Sequence, residues 1–223
     1  MKRNVLITGI IVSLVVAIFI PGLQAQEKDK DISKKQFQTT EFDRINVGGA
    51  FNVFIKQESQ HEVIIETDTK IMEHVIVKVD DGELLLKTKG LRNFNKLNAY
   101  ISIPNLKGIN LHGAAELQTQ NTFKVSELEL ISSGASESRL MLVADKITAN
   151  TSGASEVKLS GKTTKLMAEV SGAADFEAGE LIAEYAAVNA SGASHARVYA
   201  TKELSYDESG AAEISVAKQS PVR

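Results

Sequence analysis

The stretch ITANTSGASEVKL, residues 147–159, is one copy of a phrase that occurs six times between residues 109 and 216. Every copy contains a glycine followed by Ala-Ser or Ala-Ala, and successive glycines are 18 to 21 residues apart. The six glycines are Gly113, Gly134, Gly153, Gly172, Gly192 and Gly210. A repeat of this length is typical of a solenoid, in which each repeat forms one coil that packs on its neighbours.

Within a copy, apolar or small residues occupy every second position and mostly polar residues lie between them. In the quoted stretch the apolar or small set is Ile147, Ala149, Thr151, Gly153, Ser155, Val157 and Leu159. A period of two predicts extended strands with one buried face. A helical repeat fits poorly, because glycine, serine, threonine and asparagine are weak helix-interior formers. The sequence therefore predicts an all-β fold, a single-stranded parallel β-helix (β-solenoid) with coils of about 20 residues.

The position three residues after each glycine is acidic in five of the six copies. The residues of this column are Glu116, Glu137, Glu156, Asp175, His195 and Glu213. Stacked coils would turn the column into a ladder of mostly like charges, which destabilises neighbouring strands. A solvated face with weak ion pairs, such as Glu137 with Arg139, is one interpretation, each pair contributing about 0–1 kcal/mol. A cation site or ligand strip along the ladder is the alternative, and the sequence predicts no catalytic residue, metal or cofactor.

The ends of the chain carry different signals. In residues 1–25, Lys2 and Arg3 precede a mostly apolar run that ends in Leu23-Gln24-Ala25, which predicts a cleaved signal peptide. An uncleaved anchor is the alternative, although the run is short for a membrane-spanning helix. Residues 26–36 are charged and predict a polar tether. Residues 217–223 are polar and contain Pro221, which predicts a tail that stops strand addition.

Residues 37–216 are predicted to form a single β-solenoid domain. Its regular part, residues 104–216, carries the Gly-Ala repeats, whereas residues 37–103 predict irregular, broadened coils that cap the N-terminal side. The same alternation surrounds Gly49, which places a first coil there. A turn is predicted at Asp80-Asp81-Gly82, and a single helical turn capped by Asp68 is predicted between residues 67 and 74.

Composition excludes several classes of protein. The chain has no cysteine, so it forms no disulfide and uses no thiol chemistry. It has 28 acidic and 25 basic residues and no basic cluster, which argues against nucleic acid as a partner.

Three phrases resemble a known family. They are FDRINVGGAFNVFIKQ (residues 42–57), YISIPNLKGINLHGAAEL (residues 100–117) and the returning SGAS or SGAA units. Over about residues 38–216 the chain resembles the "putative auto-transporter adhesin, head GIN domain" family, whose members are secreted or surface proteins, mostly of Bacteroidetes-type bacteria. The resemblance implies a right-handed parallel β-helix, the hand that parallel crossovers generally prefer. The resemblance implies no particular catalytic or binding residues.

Together these features favour an exported, non-catalytic adhesin or binding module in the periplasm, on the outer-membrane surface or outside the cell. The expected partner is a surface glycan, a protein or a second copy of the chain. We expect no transmembrane domain in the mature chain. A polysaccharide-acting enzyme is the first alternative, with paired carboxylates drawn from Glu137, Glu156 and Asp175. The absence of tryptophan and the 5% aromatic content disfavour it, because few rings are present to stack on sugars. A structural protein of the cell envelope is the second alternative.

Overall fold

The computed structural model describes residues 31–90 and 94–217, which fall within one compact unit, Asp31–Arg223. The predicted signal peptide (residues 1–25), the first part of the predicted tether (26–30) and residues 218–223 of the predicted tail lie outside the described residues. Within the described ranges, no helix is long and apolar enough to cross a membrane.

The described residues form fifteen strands and one 3₁₀ turn. The strands are β1 (Ile32–Phe37), β2 (Arg44–Gly49), β3 (Asn52–Gln57), β4 (Glu62–Asp68), β5 (Val75–Asp80), β6 (Glu83–Thr88), β7 (Leu97–Ile103), β8 (Gly108–Gly113), β9 (Glu116–Thr119), β10 (Phe123–Ser132), β11 (Glu137–Thr151), β12 (Glu156–Val170), β13 (Asp175–Gly192), β14 (His195–Gly210) and β15 (Glu213–Val216). The 3₁₀ turn is Met72–His74. The predicted tether is corrected here, since β1 includes residues 32–36 and pairs antiparallel with β4.

The β-solenoid predicted from the repeat is confirmed. Each regular coil contributes one strand before its glycine and one after it, and the coils stack through parallel pairing. The post-glycine face consists of β3, β9, β15 and the first parts of β11 to β14. The pre-glycine face consists of β2, β8, β10 and the second parts of β11 to β14. Alternate residues such as Ile147, Ala149, Val157 and Leu159 point into the core and are buried, as the period of two predicts.

The glycines stack at the corner between the two faces. Gly153 has φ +76° and a side chain there would meet the carbonyl oxygen of Gly134, 2.8 Å from the position of a Cβ. The amide of Ala154 donates a hydrogen bond to that same oxygen at 2.8 Å. Glycine is therefore required twice, once by the left-handed backbone and once by the close approach of the next coil. Gly49 extends the same column, because a Cβ on Gly113 would lie 2.9 Å from its carbonyl oxygen.

The serine that follows Gly-Ala has a structural role at this corner. Ser155 is buried, and its hydroxyl donates to the carbonyl of Ser152 at 2.7 Å and lies 3.2 Å from the carbonyl of Ser132 in the preceding coil. Ser194 makes the equivalent contacts with Ser191 and Val170. The SGAS phrase thus combines a tight corner with a satisfied buried hydroxyl.

The N-terminal strands do not follow chain order in space. β7 pairs parallel with β3, and β6 pairs parallel with β2, so β6 and β7 form a coil outside the one made by β2 and β3. Antiparallel strands then extend both faces, with β4 on β7, β1 on β4 and β5 on β6. The predicted turn joins β5 to β6 with positive φ at both Asp81 and Gly82, which suits a two-residue hairpin.

The predicted cap on the helical turn is wrong. The 3₁₀ turn begins after Ile71, which makes no side-chain cap hydrogen bond. Asp68 is instead the last residue of β4, and its carboxylate accepts hydrogen bonds from the backbone and side-chain amides of Asn95.

Candidate functional site

The acidic column predicted from the repeat is a ladder of neighbouring residues on the post-glycine face. Strand register pairs Glu116 with Glu137, Glu137 with Glu156, Glu156 with Asp175, Asp175 with His195, and His195 with Glu213. All six predicted residues are therefore brought together in one line. Parallel strands lie about 4.8 Å apart, so four consecutive carboxylates face one another at that spacing.

The ladder continues beyond the predicted residues toward the N-terminal side. Glu116 pairs with Asn52, Asn52 with Asn98, Asn98 with Glu66, and Glu66 with Lys34. Asn52 could have been found, because it lies three positions after Gly49. Glu66, Asn98 and Lys34 stand on strands that interrupt the repeat, so no spacing indicates them.

Glu66 is the most enclosed carboxylate of the ladder, with only 8% of its surface exposed. Its oxygens accept hydrogen bonds from the Lys96 ammonium at 2.8 Å and the Tyr100 hydroxyl at 2.9 Å, and Lys34 lies 3.5 Å away. The hydrogen bond from Lys96 is the main cause that lowers the pKa of Glu66, against the opposing effect of burial. The charge is thus held in place by two cations from the N-terminal cap.

In the regular coils the ladder carboxylates pair along their own strands. Glu137 contacts Arg139 and Glu156 contacts Lys158, as the spacing predicts. The hydrogen bond from Lys158 to Glu156 raises the pKa of Lys158. His195 Nδ1 lies 3.4 Å from an Asp175 oxygen. In the described part of the chain, no cluster of three or more His, Asp or Glu side chains could hold a metal ion.

A groove of about 1090 Å³ lies beside the ladder and crosses β9 and the first parts of β11 to β14. Its cations are Arg139, Lys158 and Arg197, and its acids are Glu156, Asp175, Glu177 and Glu180. Met141, Ile182 and Tyr199 supply apolar surface. The charged side chains can form hydrogen bonds with a polar ligand, and the apolar side chains add contact surface.

The groove lies where the stacking register breaks. The register shifts between Lys158 and Ser160 where β12 pairs with β13, and between Ala178 and Ala183 where β13 pairs with β14. Bulges of this kind redirect side chains and occur often beside functional sites. The sequence contained a signal for them, because the glycine spacings of 19, 20 and 18 residues around these coils are unequal. Coils of unequal length cannot keep one register.

Arg197 pairs in register with Glu177 on the adjacent strand, but it is the cation of this groove for which the described residues form no ion pair. Among the described residues no carboxylate lies within ion-pair distance of it, whereas Arg139 and Lys158 are engaged by the ladder. Gly179 leaves space beneath it, since a Cβ there would lie 3.3 Å from Arg197 Nε and 3.1 Å from the Cβ of Ala217. Tyr199 follows Arg197 on the same side of β14 and lines the same groove.

A second cavity of about 770 Å³ lies near the N-terminal cap and includes Asp43, His61 and Lys107. Lys107 pairs with Asp43 at 2.5 Å, and His61 Nε2 lies 2.8 Å from the carbonyl oxygen of Phe42. These side chains serve to hold the loops that lead into the first coil.

Comparison with known proteins agrees with this architecture. Residues 41–220 match the model of the family described as "Putative auto-transporter adhesin, head GIN domain". A search of curated protein sequences gave no match. Similar solved structures include a "putative adhesin" from Bacteroides fragilis, with 23% identity, coverage of 84% of this chain and 97% of that chain, and a TM-score of 0.78.

Two similar structures come from Parabacteroides distasonis. One is a "putative adhesin" with 18% identity, coverage of 84% and 98% of the two chains, and a TM-score of 0.66. The other is a "putative lipid binding protein" with 16% identity, coverage of 85% and 98%, and a TM-score of 0.65. At these identities the structures show a shared fold alone.

Proposed function

We propose, since this chain belongs to the head GIN domain family, that it is an exported, non-catalytic binding module of the adhesin type. Its ligand is an extended surface glycan or polypeptide that lies in the groove across β11 to β14. The observation that supports this assignment is the break in register, which opens a groove of about 1090 Å³ on an otherwise regular face.

The groove offers contacts that suit a long ligand. Arg197 supplies an unengaged guanidinium, which forms paired hydrogen bonds with carboxylate or sulfate groups. Tyr199 adds an aromatic surface beside it, while Arg139 and Lys158 with their ladder acids supply donors and acceptors on neighbouring coils. Several weak contacts repeated along one ligand give stable attachment through high effective concentration.

The contacts of the carboxylates support a binding role without catalysis. Glu137 and Glu156 each contact a cation on their own strand, and the same acidic position recurs through the regular coils. A glycosidase instead needs two carboxylates in different environments, so that one is protonated while the other is ionised. Turnover of an acidic polysaccharide that is lost in Glu156→Gln would overturn this part of the proposal.

The binding experiment compares groove variants with matched controls. Glycan arrays and envelope proteins are probed with purified wild type, and the strongest hit is titrated against Arg197→Ala and Tyr199→Ala. We expect each variant to weaken binding about tenfold or more, because it removes a central contact. The controls are Lys165→Ala and Tyr185→Ala, which change exposed side chains on the pre-glycine face. Equal affinity of all variants, with unchanged melting temperatures, would place the ligand elsewhere.

Export is tested separately on cells that express the full chain. Cleavage after Ala25 predicts that the mature protein begins at Gln26 and is recovered from the envelope or the medium. Amino-terminal sequencing and cell fractionation measure both. Recovery of an intact chain in the cytoplasm would contradict export.

A further inference from the structure

The two ends of the solenoid differ in whether further strands cover the edges of the terminal coil. At the N-terminal end, antiparallel strands β4 and β5 cover the coil made by β6 and β7, and β1 forms the edge of the post-glycine face. At the other end, within the described residues, nothing pairs with the outer edge of β15 or with the outer edge of the second part of β14. Unpaired strand edges are templates for pairing with another chain.

The last coil leaves core positions exposed. Tyr206 pairs in register with Val188 and Val216 pairs with Val198, and both partners are completely buried. Tyr206 and Val216 are each 56% exposed, because no further coil covers them in the part of the chain that the structure describes. Leu204 and Ile214, at other core positions of this coil, are only partly buried. Solenoids generally need a terminal cap with a polar outer face, and these apolar residues leave the last coil without one among the described residues.

Opposite charges occupy core positions at the two ends. Glu208 pairs with buried Ala190, so its side chain stands on the core side of β14 while remaining exposed. Lys35 pairs with buried Ile65, so it stands on the core side of β1 and is also exposed. An inward charge blocks pairing with an apolar or like-charged edge. Because one end carries a glutamate and the other a lysine, opposite charges meet when the C-terminal end of one copy contacts the N-terminal end of another.

We propose that this protein self-associates head to tail, with the last coil of one copy stacked on β1 of the next and Glu208 paired with Lys35 across the junction. β1 is antiparallel to β4, which is antiparallel to β7, so β1 runs in the same direction as the parallel stack that ends in β15. On the post-glycine face, where β15 meets β1, the junction therefore continues parallel pairing. The carboxylate of Glu208 already lies beside β15, since it accepts a hydrogen bond from the amide of Ile214 at 2.6 Å.

Association through two identical ends is disfavoured by charge. The exposed acids of the C-terminal end are Glu203, Asp207, Glu208 and Glu213. The nearby Lys202 is engaged by Glu184 at 2.6 Å. Two such ends would bring like charges together, whereas the strand β1 carries Lys34 and Lys35 and no acid. Self-association of this kind is independent of which ligand the groove binds.

The first test is the mass of the purified wild type as a function of concentration, measured by sedimentation velocity and light scattering. A head-to-tail contact that does not close forms an open series, so the average mass should keep rising with concentration. High salt should weaken the association by screening the charges. A monomer at every concentration, or a dimer that grows no further, would overturn the proposal.

Charge reversal gives the sharper test. Lys35→Glu places a glutamate at both junction positions and Glu208→Lys places a lysine at both, so each variant alone should associate at least about tenfold more weakly than the wild type. An equimolar mixture should assemble again, because each end then meets an opposite charge. Lys162→Glu, at an exposed site on β12 away from both ends, serves as the control and should leave assembly unchanged. Folded variants that fail to assemble when mixed would overturn the proposal.

One substitution and one truncation test two remaining alternatives: that the charge of Glu208 is not needed, and that the chain's own C-terminus covers the last coil. Glu208→Gln keeps an oxygen for the amide of Ile214 and removes the charge, so the fold should be preserved while assembly weakens. Unchanged assembly of this variant would refute the charge pair. A wild type that stays monomeric but associates once residues 218–223 are removed would show that the chain's own C-terminus covers the last coil, and would also overturn the proposal.

Discussion

Replacing Gly153 by alanine tests whether the glycine column sets the contact between coils. Gly153 has φ +76°, and a Cβ there would lie 2.8 Å from the carbonyl oxygen and 3.0 Å from the amide nitrogen of Gly134. Gly82, in the β5–β6 turn, has φ +74°, but nothing lies within 4 Å of a Cβ at that position. The two sites therefore share the same backbone strain and differ in the contact with a neighbouring coil.

The expected costs follow from these two effects. An alanine held in the left-handed region costs about 1–2 kcal/mol, and this applies equally to Gly82→Ala and Gly153→Ala. Overpacking against a fixed backbone adds about 1–3 kcal/mol at Gly153 alone. The coils would have to move apart there, which lengthens the 2.8 Å hydrogen bond from Ala154 to Gly134. We expect Gly153→Ala to be the more destabilising variant by about 1–3 kcal/mol.

Urea unfolding followed by circular dichroism measures the free energy of unfolding for both variants and the wild type. Because coils contact only their neighbours, the loss is also expected to be local, and hydrogen exchange should accelerate at Ala154 before it does at distant coils. Equal losses in Gly153→Ala and Gly82→Ala would refute the reasoning. They would mean that the left-handed backbone alone explains why glycine stands in this column.

Three other substitutions give distinct outcomes. The hydrogen bond from Lys96 lowers the pKa of Glu66 in the folded protein. The Glu66 carboxylate therefore stabilises the fold fully at pH values above the unfolded pKa of about 4.3, and this stabilisation is lost as the pH falls through the lower folded pKa. Glu66→Gln should therefore lower the urea midpoint at neutral pH, and its difference from the wild type should disappear in strong acid. Glu116→Gln should stabilise the chain by about 0.2–1 kcal/mol in the same unfolding assay, because Glu116 faces the like charge of Glu137 in the ladder. A loss of stability would contradict repulsion between these two carboxylates. Phe176→Ala should cost about 3–5 kcal/mol, because the ring is completely buried, and a smaller loss would mean that the core collapses around the cavity.

The regular coils could be predicted from the sequence because the residues that define a coil recur once in each repeat. A glycine marks each corner, alternate apolar residues mark the core side, and the residue three positions later marks one outer column. Parallel stacking then requires that Glu137, Glu156 and Asp175 be neighbours, as the register shows. Periodicity therefore gave both the fold and the six-residue ladder without any knowledge of contacts between distant residues.

The N-terminal cap could not be predicted in the same way, because its pairing depends on contacts without a period. Nothing in the local sequence places β6 and β7 outside β2 and β3, or places Glu66 beside Lys34. The segment ISKKQF is charged enough to resemble a tether, yet Phe37 packs against the core and the strand pairs with β4. Here a favourable long-range pairing overrides a local composition that favours solvent.

Repetition explains the shape of this protein, but binding requires a place where the repetition fails. A ladder that recurs at every coil presents the same surface along its length, and a ligand gains no preferred position on it. The shift of register between β12, β13 and β14 breaks that equivalence, because it coincides with the groove that Arg197 and Tyr199 line. The unequal spacing of Gly153, Gly172, Gly192 and Gly210 is the source of the shift. Coil length is thus the variable by which a solenoid of this kind acquires a specific site, while its glycines and core keep the fold unchanged.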